Sequence, residues 1–122
     1  MKKQKNPHRA ARLSAQIRRD LSQLIARELK DPRVLWVSLT EVQLTADYAH
    51  AKVFFSTLNA QDSAEIAQAL NHSAAFLRSL LGKNWHAHTL PQLHFVYDDS
   101  VLKGEKMEHL IQQALSKTAA DS

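Results

Sequence analysis

The sequence predicts an α+β fold in which helices cover one face of a three-stranded sheet. A chain of 122 residues is long enough for one domain with a core, and 44% of its residues are apolar. The apolar residues follow helical and strand periods in the order helix, strand, strand, helix, strand, helix. We expect a basic flexible N-terminus over residues 1–6, one domain over 7–116 and a frayed tail over 117–122.

The composition excludes several classes of protein. The chain has no cysteine, which rules out disulfides, thiolate metal sites and iron–sulfur clusters. Its two glycines are too few for a glycine-rich phosphate loop or a dinucleotide fingerprint, and we expect no cofactor. No apolar run exceeds four residues, and the basic first residues lead into no apolar stretch. The expected location is therefore the cytoplasm.

The first helix is predicted over residues 7–30. Leu13, Ile17, Leu21 and Leu24 recur at the spacing of one buried helical stripe. We expect the helix to end at the Asp31-Pro32 pair, because proline disfavours helical geometry in the residue before it.

Basic side chains are concentrated in this part of the chain. Residues 1–19 contain seven lysines and arginines and no acid, whereas residues 20–122 hold nine basic and twelve acidic side chains. At about 100° per residue, one face beside the buried stripe carries Lys5, Arg9, Arg12, Arg19, Arg27 and Lys30, and excludes Arg18. A positive surface on a near-neutral domain is typical of proteins that bind phosphates, although many such runs only increase solubility.

Three strands are predicted from alternating apolar residues. The first covers residues 37–44, and its alternation slips between Leu39 and Val42, which predicts a bulge. The second covers residues 49–56 and follows closely enough to form an antiparallel hairpin with the first. The third covers residues 93–97.

Two more helical segments are predicted. Asp62 is expected to cap a helix over residues 62–82, with Glu65 reaching back to the cap and Gly82 stopping the helix. The helical period of the apolar residues, taken alone, predicts one unbroken helix over this range. A last amphipathic helix has an apolar face of Met107, Leu110, Ile111, Ala114 and Leu115.

His86 and His88 invite a metal-binding or acid–base interpretation. Two imidazoles at this spacing can share one side of an extended segment, but a zinc site needs a third or fourth ligand. No carboxylate is close in sequence, so we predict no metal site. We group the pair instead with Arg78 and Lys83 as a second cationic patch.

Four separated motifs are more specific evidence than the composition or the charge pattern. They read RELKDPR at 27–33, AKV at 51–53, FLRSLLGK at 76–83 and PxLxFxYDDS at 91–100. With these motifs in this order, the chain resembles the bacterial ribosome-binding factor A family across residues 5–116.

The resemblance implies a type II KH-like domain of order α-β-β-α-α-β, followed by a terminal helix. It also implies a non-enzymatic factor that binds the free 30S subunit near the neck of its 16S rRNA and assists late maturation. That role would include 16S rRNA 5′-end processing and adaptation to cold. We expect a monomer whose other partners are assembly factors, among them a GTPase.

In this family an Ala-x-Gly kink between two helices replaces the glycine loop of ordinary KH domains. The corresponding residues here are Ser73, Ala74 and Ala75, with alanine in place of glycine. Because alanine disfavours positive φ, we expect a shallower or differently made bend.

RNA binding is thus predicted for two groups of side chains. The first group contains Lys3, Lys5, Arg9, Arg12, Arg19, Lys30 and Arg33, and the second contains Arg78, Lys83, His86 and His88. Scattered cations suit folded rRNA, which offers mainly phosphates and 2′-hydroxyls. Two alternatives stay open: an RNA-cleaving enzyme that uses His86 and His88, and a protein-binding adaptor that uses the exposed sheet face around Phe54.

Overall fold

The computed structural model describes residues 7–87, 89–100 and 107–115. Its elements are α1 (Pro7–Glu28), β1 (Val37–Leu44), β2 (His50–Thr57), α2 (Ser63–His72), α3 (Ala74–Gly82) and β3 (Gln92–Tyr97). The predicted α-β-β-α-α-β order is confirmed. Residues 107–115 form a further helix, α4. The segments predicted as flexible or frayed, 1–6 and 117–122, lie outside the described residues.

The sheet has the strand order β1-β2-β3. β1 and β2 pair antiparallel with a register shift between Leu39 and Glu41, which confirms the predicted bulge. β3 is parallel to β2, because α2 and α3 carry the chain back along the sheet between these strands. Buried and exposed residues alternate along the strands, so one face lies against the helices and the other is open.

The core lies between the helices and the covered face of the sheet. α1 contributes Ile17, Leu21, Leu24 and Ile25, each at most 8% exposed. Phe55 is fully buried as predicted, whereas Phe54 alternates with it on the open face. The rest of the buried cluster is Val34, Leu39, Val42, Ala51, Val53, Ile66, Leu70, Leu77, Leu81, Leu93 and Phe95. No described helix has the length and apolar character needed to span a membrane.

The start of α2 differs from the prediction. Asp62 forms no side-chain cap, so the predicted capping box with Glu65 is wrong. The Asp62 carboxylate instead accepts a hydrogen bond from the Asn59 side chain at 2.8 Å. A 3₁₀ turn at Ala60–Asp62 precedes the helix and directs this carboxylate back to the preceding loop.

The helix predicted over residues 62–82 is broken at Ser73. The Ser73 backbone has φ −95° and ψ 4°, a region that L-residues enter without needing glycine. Its N–H donates to the carbonyls of Ala69 and Leu70 at 3.2 and 3.1 Å, so the backbone stays hydrogen-bonded through the bend. The kink implied by the resemblance is therefore present, and it is made two residues before Ala75.

Asn71, at the end of α2, closes the free edge of β3. Its side-chain N–H donates to the Phe95 carbonyl at 2.9 Å, and its side-chain oxygen accepts from the Phe95 N–H at 2.8 Å. These two bonds replace those that a neighbouring strand would supply. One side chain thus both satisfies the edge and fixes β3 against α2.

We expect Asn71→Ala to lower the free energy of unfolding by about 1–3 kcal/mol, because both Phe95 backbone groups lose their partner. Urea unfolding followed by circular dichroism measures the change. Gln68→Ala, at an exposed position of the same helix, is the control and should cost less than about 0.5 kcal/mol. Equal losses in the two variants would contradict the assignment of Asn71 to the β3 edge.

Candidate nucleic-acid interface

The basic face of α1 is oriented by the buried side of the same helix. Ile17 and Leu21 have no exposed surface, and the arginines on the other side of the helix are exposed. We name the exposed basic residues of this face, Arg9, Arg12, Arg19 and Arg27, together with Lys30, the α1 strip. The helix ends at Glu28, two residues earlier than predicted, so Lys30 follows it in the chain. Lys3 and Lys5, predicted to extend the strip, lie outside the described residues. Burial of one side therefore fixes the direction of the charges on the other.

The β1–β2 turn orients the first arginine of the α1 strip. The guanidinium carbon of Arg9 lies 5.9 Å from the centre of the Tyr48 ring, within cation–π range. Tyr48 has a φ of 61°, in the left-handed region. Asp47 braces this turn by accepting from the Ala49 N–H and the Thr45 hydroxyl at 3.0 and 2.8 Å, and these bonds lower the pKa of Asp47.

Acidic neighbours reduce the charge of the later part of the α1 strip. Arg27 Nε lies 3.0 Å from a Glu28 carboxylate oxygen, and Arg19 Nε lies 3.9 Å from Asp20. Within the part of the chain that the structure describes, Arg12 forms no ion pair. α1 carries no acid before Asp20, so its N-terminal half is the more strongly positive part.

Arg33 forms a two-pronged ion pair with Asp31. Two guanidinium nitrogens contact both carboxylate oxygens at 2.6–3.1 Å. The side chain of Arg33, and then its backbone N–H, lower the pKa of Asp31 to about 2. About half of the Arg33 side chain is still exposed. It presents a partly neutralised cation, in contrast to Arg12.

Arg78 holds the loop between α3 and β3. Its guanidinium donates to the backbone carbonyls of Leu90 and Pro91 at 2.7 and 3.1 Å, in partly buried positions. The Trp85 indole N–H donates to the Thr89 carbonyl at 2.8 Å. These bonds make Arg78 a residue that positions the loop, and its predicted contact with RNA stays a prediction.

Lys83 and His86 are exposed at this end of the described structure. His88 lies outside the described residues. Gly82 allows the loop to return close to α3, because a Cβ at this position would stand 3.0 Å from Leu90 Cδ2. The φ of Gly82 is not positive, so the close approach of Leu90, and not left-handed geometry, is what favours glycine here.

A groove of about 250 Å³ separates the later part of the α1 strip from the end of α3. Arg27 and Lys83 line it together with Asp20 and Glu28. Two acids balance two bases, so the groove itself is not a strong anion site. The groove lies between the α1 strip and the loop that carries His86, so these two surfaces are next to each other.

The structure also forms a histidine pair that the sequence did not predict. His50 Nδ1 and His94 Nε2 lie 2.9 Å apart on the open face, on the neighbouring parallel strands β2 and β3. No local pattern reveals a parallel register, so the sequence contains no signal for this contact. In the described ranges no group of three or more histidines or carboxylates could hold a metal ion.

The element order and the three-stranded sheet define a small α+β domain of the KH-like type. Over residues 9–111 the chain matches the ribosome-binding factor A family. It is 55% identical over 112 residues to ribosome-binding factor A of Dechloromonas aromatica, covering 92% of this chain and 91% of that protein. It is 48% identical over 120 residues to that of Burkholderia multivorans, covering 98% and 90%. The chain belongs to the ribosome-binding factor A family, as its four motifs indicated.

Solved structures of the family have the same fold. The crystal structure of ribosome-binding factor A from Thermus thermophilus matches with a TM-score of 0.66 and 26% identity, covering 72% of this chain and 94% of that one. A homology model of the Thermus protein, fitted into the cryo-EM map of its complex with the 30S subunit, matches with a TM-score of 0.61 and 27% identity. That match covers 74% of this chain and 96% of the Thermus chain.

We expect Arg33→Gln to raise the pKa of Asp31 from about 2 toward its ordinary value of about 3.9. A lowered pKa in the folded state means that the pair stabilises the fold above that ordinary value, and that this contribution is lost as the pH falls through about 2. Carbon-detected NMR titration of the carboxyl group measures the pKa. Arg27→Gln removes an equal charge and should leave Asp31 unchanged. An identical Asp31 titration in the wild type and in Arg33→Gln would refute the assignment.

Proposed function

We propose that this chain is a non-enzymatic assembly factor that binds the free 30S subunit through 16S rRNA, with the α1 strip as its main contact. The observation that carries the proposal is a row of exposed arginines on a helix whose other side packs into the core. Family membership supports the function, and the Thermus relative fitted in a complex with the 30S subunit supports the target.

The chemistry of the α1 strip suits phosphate better than a base edge. Arginine presents a planar fork of donors that matches phosphate oxygens, and folded RNA exposes mainly its backbone. We assign direct contacts to Arg9, Arg12, Arg19 and Lys30, and Lys3 and Lys5 would extend them toward the N-terminus. This arrangement implies affinity for RNA shape and charge rather than for a short base sequence.

The loop after α3 would supply the second contact. Lys83 and His86 are exposed there, and Arg78 holds the loop in place through backbone carbonyls. His88 would join them from the same loop. Arg33, already paired with Asp31, would contribute less.

The finer role follows from the family resemblance. We propose that the protein assists late maturation of the small subunit in the cytoplasm, including 16S rRNA 5′-end processing and adaptation to cold. It would act as a monomer alongside other assembly factors, including a GTPase. Incubation with precursor 16S rRNA distinguishes this role from that of an RNA-cleaving enzyme using His86 and His88, since the purified factor should generate no new ends.

Arg12→Glu should weaken binding to free 30S subunits by about tenfold, because it removes a phosphate contact and adds a repulsive charge. Fluorescence anisotropy of labelled protein, titrated with subunits at fixed salt, gives the Kd. Arg18→Glu is the matched control, because Arg18 is exposed on the same helix but lies off the α1 strip. It should change the Kd by less than about threefold.

Equal losses in Arg12→Glu and Arg18→Glu would mean that net charge, and not the α1 strip, drives association. Undiminished binding in both variants would favour the alternative of an adaptor that uses the sheet face around Phe54.

A further inference from the structure

We propose that the groove between α1 and the end of α3 binds one unpaired adenine base of the RNA. This inference rests on the proposed function, and it adds recognition of a single base to the phosphate contacts of the α1 strip. The groove has a volume of about 250 Å³. Pockets for drug-sized ligands begin at about 300 Å³, so this groove suits a smaller planar group such as one base.

Two side-chain amides line the groove. Gln23 lies on α1 and Asn84 lies two residues after the end of α3, and both are exposed. Within the described part of the chain, neither side chain forms a hydrogen bond. Asn71, by contrast, uses its side-chain amide to hold the backbone of Phe95. The donors and acceptors of Gln23 and Asn84 are therefore available to a ligand.

A side-chain amide is the group that pairs with adenine. It accepts a hydrogen bond from the N6 amino group and donates one to N7, so two bonds form on one edge of the base. Carboxylates only accept hydrogen bonds, and they favour the amino group of cytosine.

Both carboxylates of the groove already have cationic neighbours. A Glu28 oxygen lies 3.0 Å from Arg27 Nε. An Asp20 oxygen lies 3.9 Å from Arg19 Nε. The unpaired amides, rather than these acids, therefore decide which base is bound, and they favour adenine.

The buried residues that line the groove are apolar. Leu24 and Leu81 are 8% and 2% exposed, and Leu80 is partly buried. One face of the base would pack on these leucines. The guanidinium of Arg27, held by Glu28, would stack on the other face, as arginine does on unpaired bases of RNA.

Cations on both sides of the groove would hold the RNA backbone. The α1 strip lies on one side, and the exposed Lys83 lies on the other. The two acidic and two basic side chains of the groove leave it nearly neutral, which favours an uncharged base over a phosphate. A strand that passes from the α1 strip to Lys83 would therefore keep its phosphates at the cations and turn one base into the groove.

Three RNA pentanucleotides of equal charge test the base preference: pentauridylate, and the same strand with a central adenosine or a central guanosine. Fluorescence anisotropy of the labelled strands, titrated with the full-length protein at fixed salt, gives each Kd. We expect the adenosine strand to bind about tenfold more tightly than the other two, because one two-bond contact discriminates to this extent. Equal Kd values, or tighter binding of the guanosine strand, would overturn the proposal.

Gln23→Ala with Asn84→Ala should abolish this preference and leave the Kd of pentauridylate unchanged, because both side chains are exposed and uncharged. Gln61→Ala with Gln68→Ala is the matched control, since it removes two exposed amides far from the groove lining. That variant should keep the tenfold preference. A preference for adenosine that survives the loss of Gln23 and Asn84 would overturn the assignment to the groove.

Titration with 30S subunits separates this inference from the proposed function. Weaker 30S binding by Arg12→Glu than by Arg18→Glu, together with equal binding of the three pentanucleotides, would support the proposed function and overturn base recognition. Equal 30S binding by these two variants, together with a preference for adenosine that needs Gln23 and Asn84, would support base recognition and contradict the role of the α1 strip.

Discussion

The burial of one side of α1 is the constraint on which the rest of this structure depends. Ile17 and Leu21 lie in the core with no exposed surface, so the helix cannot turn about its axis. Rotation by one residue, about 100°, would bring charged groups into the core, and an unpaired buried charge costs several kcal/mol. The apolar stripe is thus what gives the arginines a common direction. A flexible tail of equal charge would have no such direction.

Side chains that bond to backbone hold the chain wherever the sheet and helices provide no neighbour. Asn71 completes the free edge of β3, and Arg78 with Trp85 fixes the loop that leads into that strand. The Asp98 carboxylate accepts from the Ser100 N–H where the chain leaves the strand. β3 is therefore secured at its start, along its edge and at its end by polar contacts. This explains how a three-stranded sheet with one open face keeps a defined outer strand.

Periodicity predicted the elements of the fold because it reports which side of each element is buried. It gave the α1 stripe, the bulge after Leu39 and the alternation of Phe54 and Phe55. It missed the break at Ser73, because that backbone geometry requires no special residue and leaves the apolar period intact. The Asp62 cap was wrong because a 3₁₀ turn before the helix redirects a side chain that the local motif assigned to capping.

The candidate interface was predicted less completely, because the state of a cation depends on its partners in space. The helical period alone predicted that Arg12 is exposed, because the core lies on the other side of the helix. Arg78 bonds to carbonyls twelve and thirteen residues further along the chain, and no local pattern encodes this contact. The pairing of His50 with His94 likewise requires the parallel register of β2 and β3. Arg33 lies two residues from Asp31, so this pairing was within reach of the sequence.

The central claim is that the α1 strip binds the phosphates of folded ribosomal RNA. Its most direct test is the Kd of the wild-type protein for free 30S subunits, measured across a range of salt concentrations. The four direct contacts assigned to Arg9, Arg12, Arg19 and Lys30 predict that the logarithm of the binding constant falls with the logarithm of salt at a slope of about −3.6, or more steeply if Lys83 adds a contact. A slope near zero would mean that phosphate contacts contribute little, and it would contradict the account.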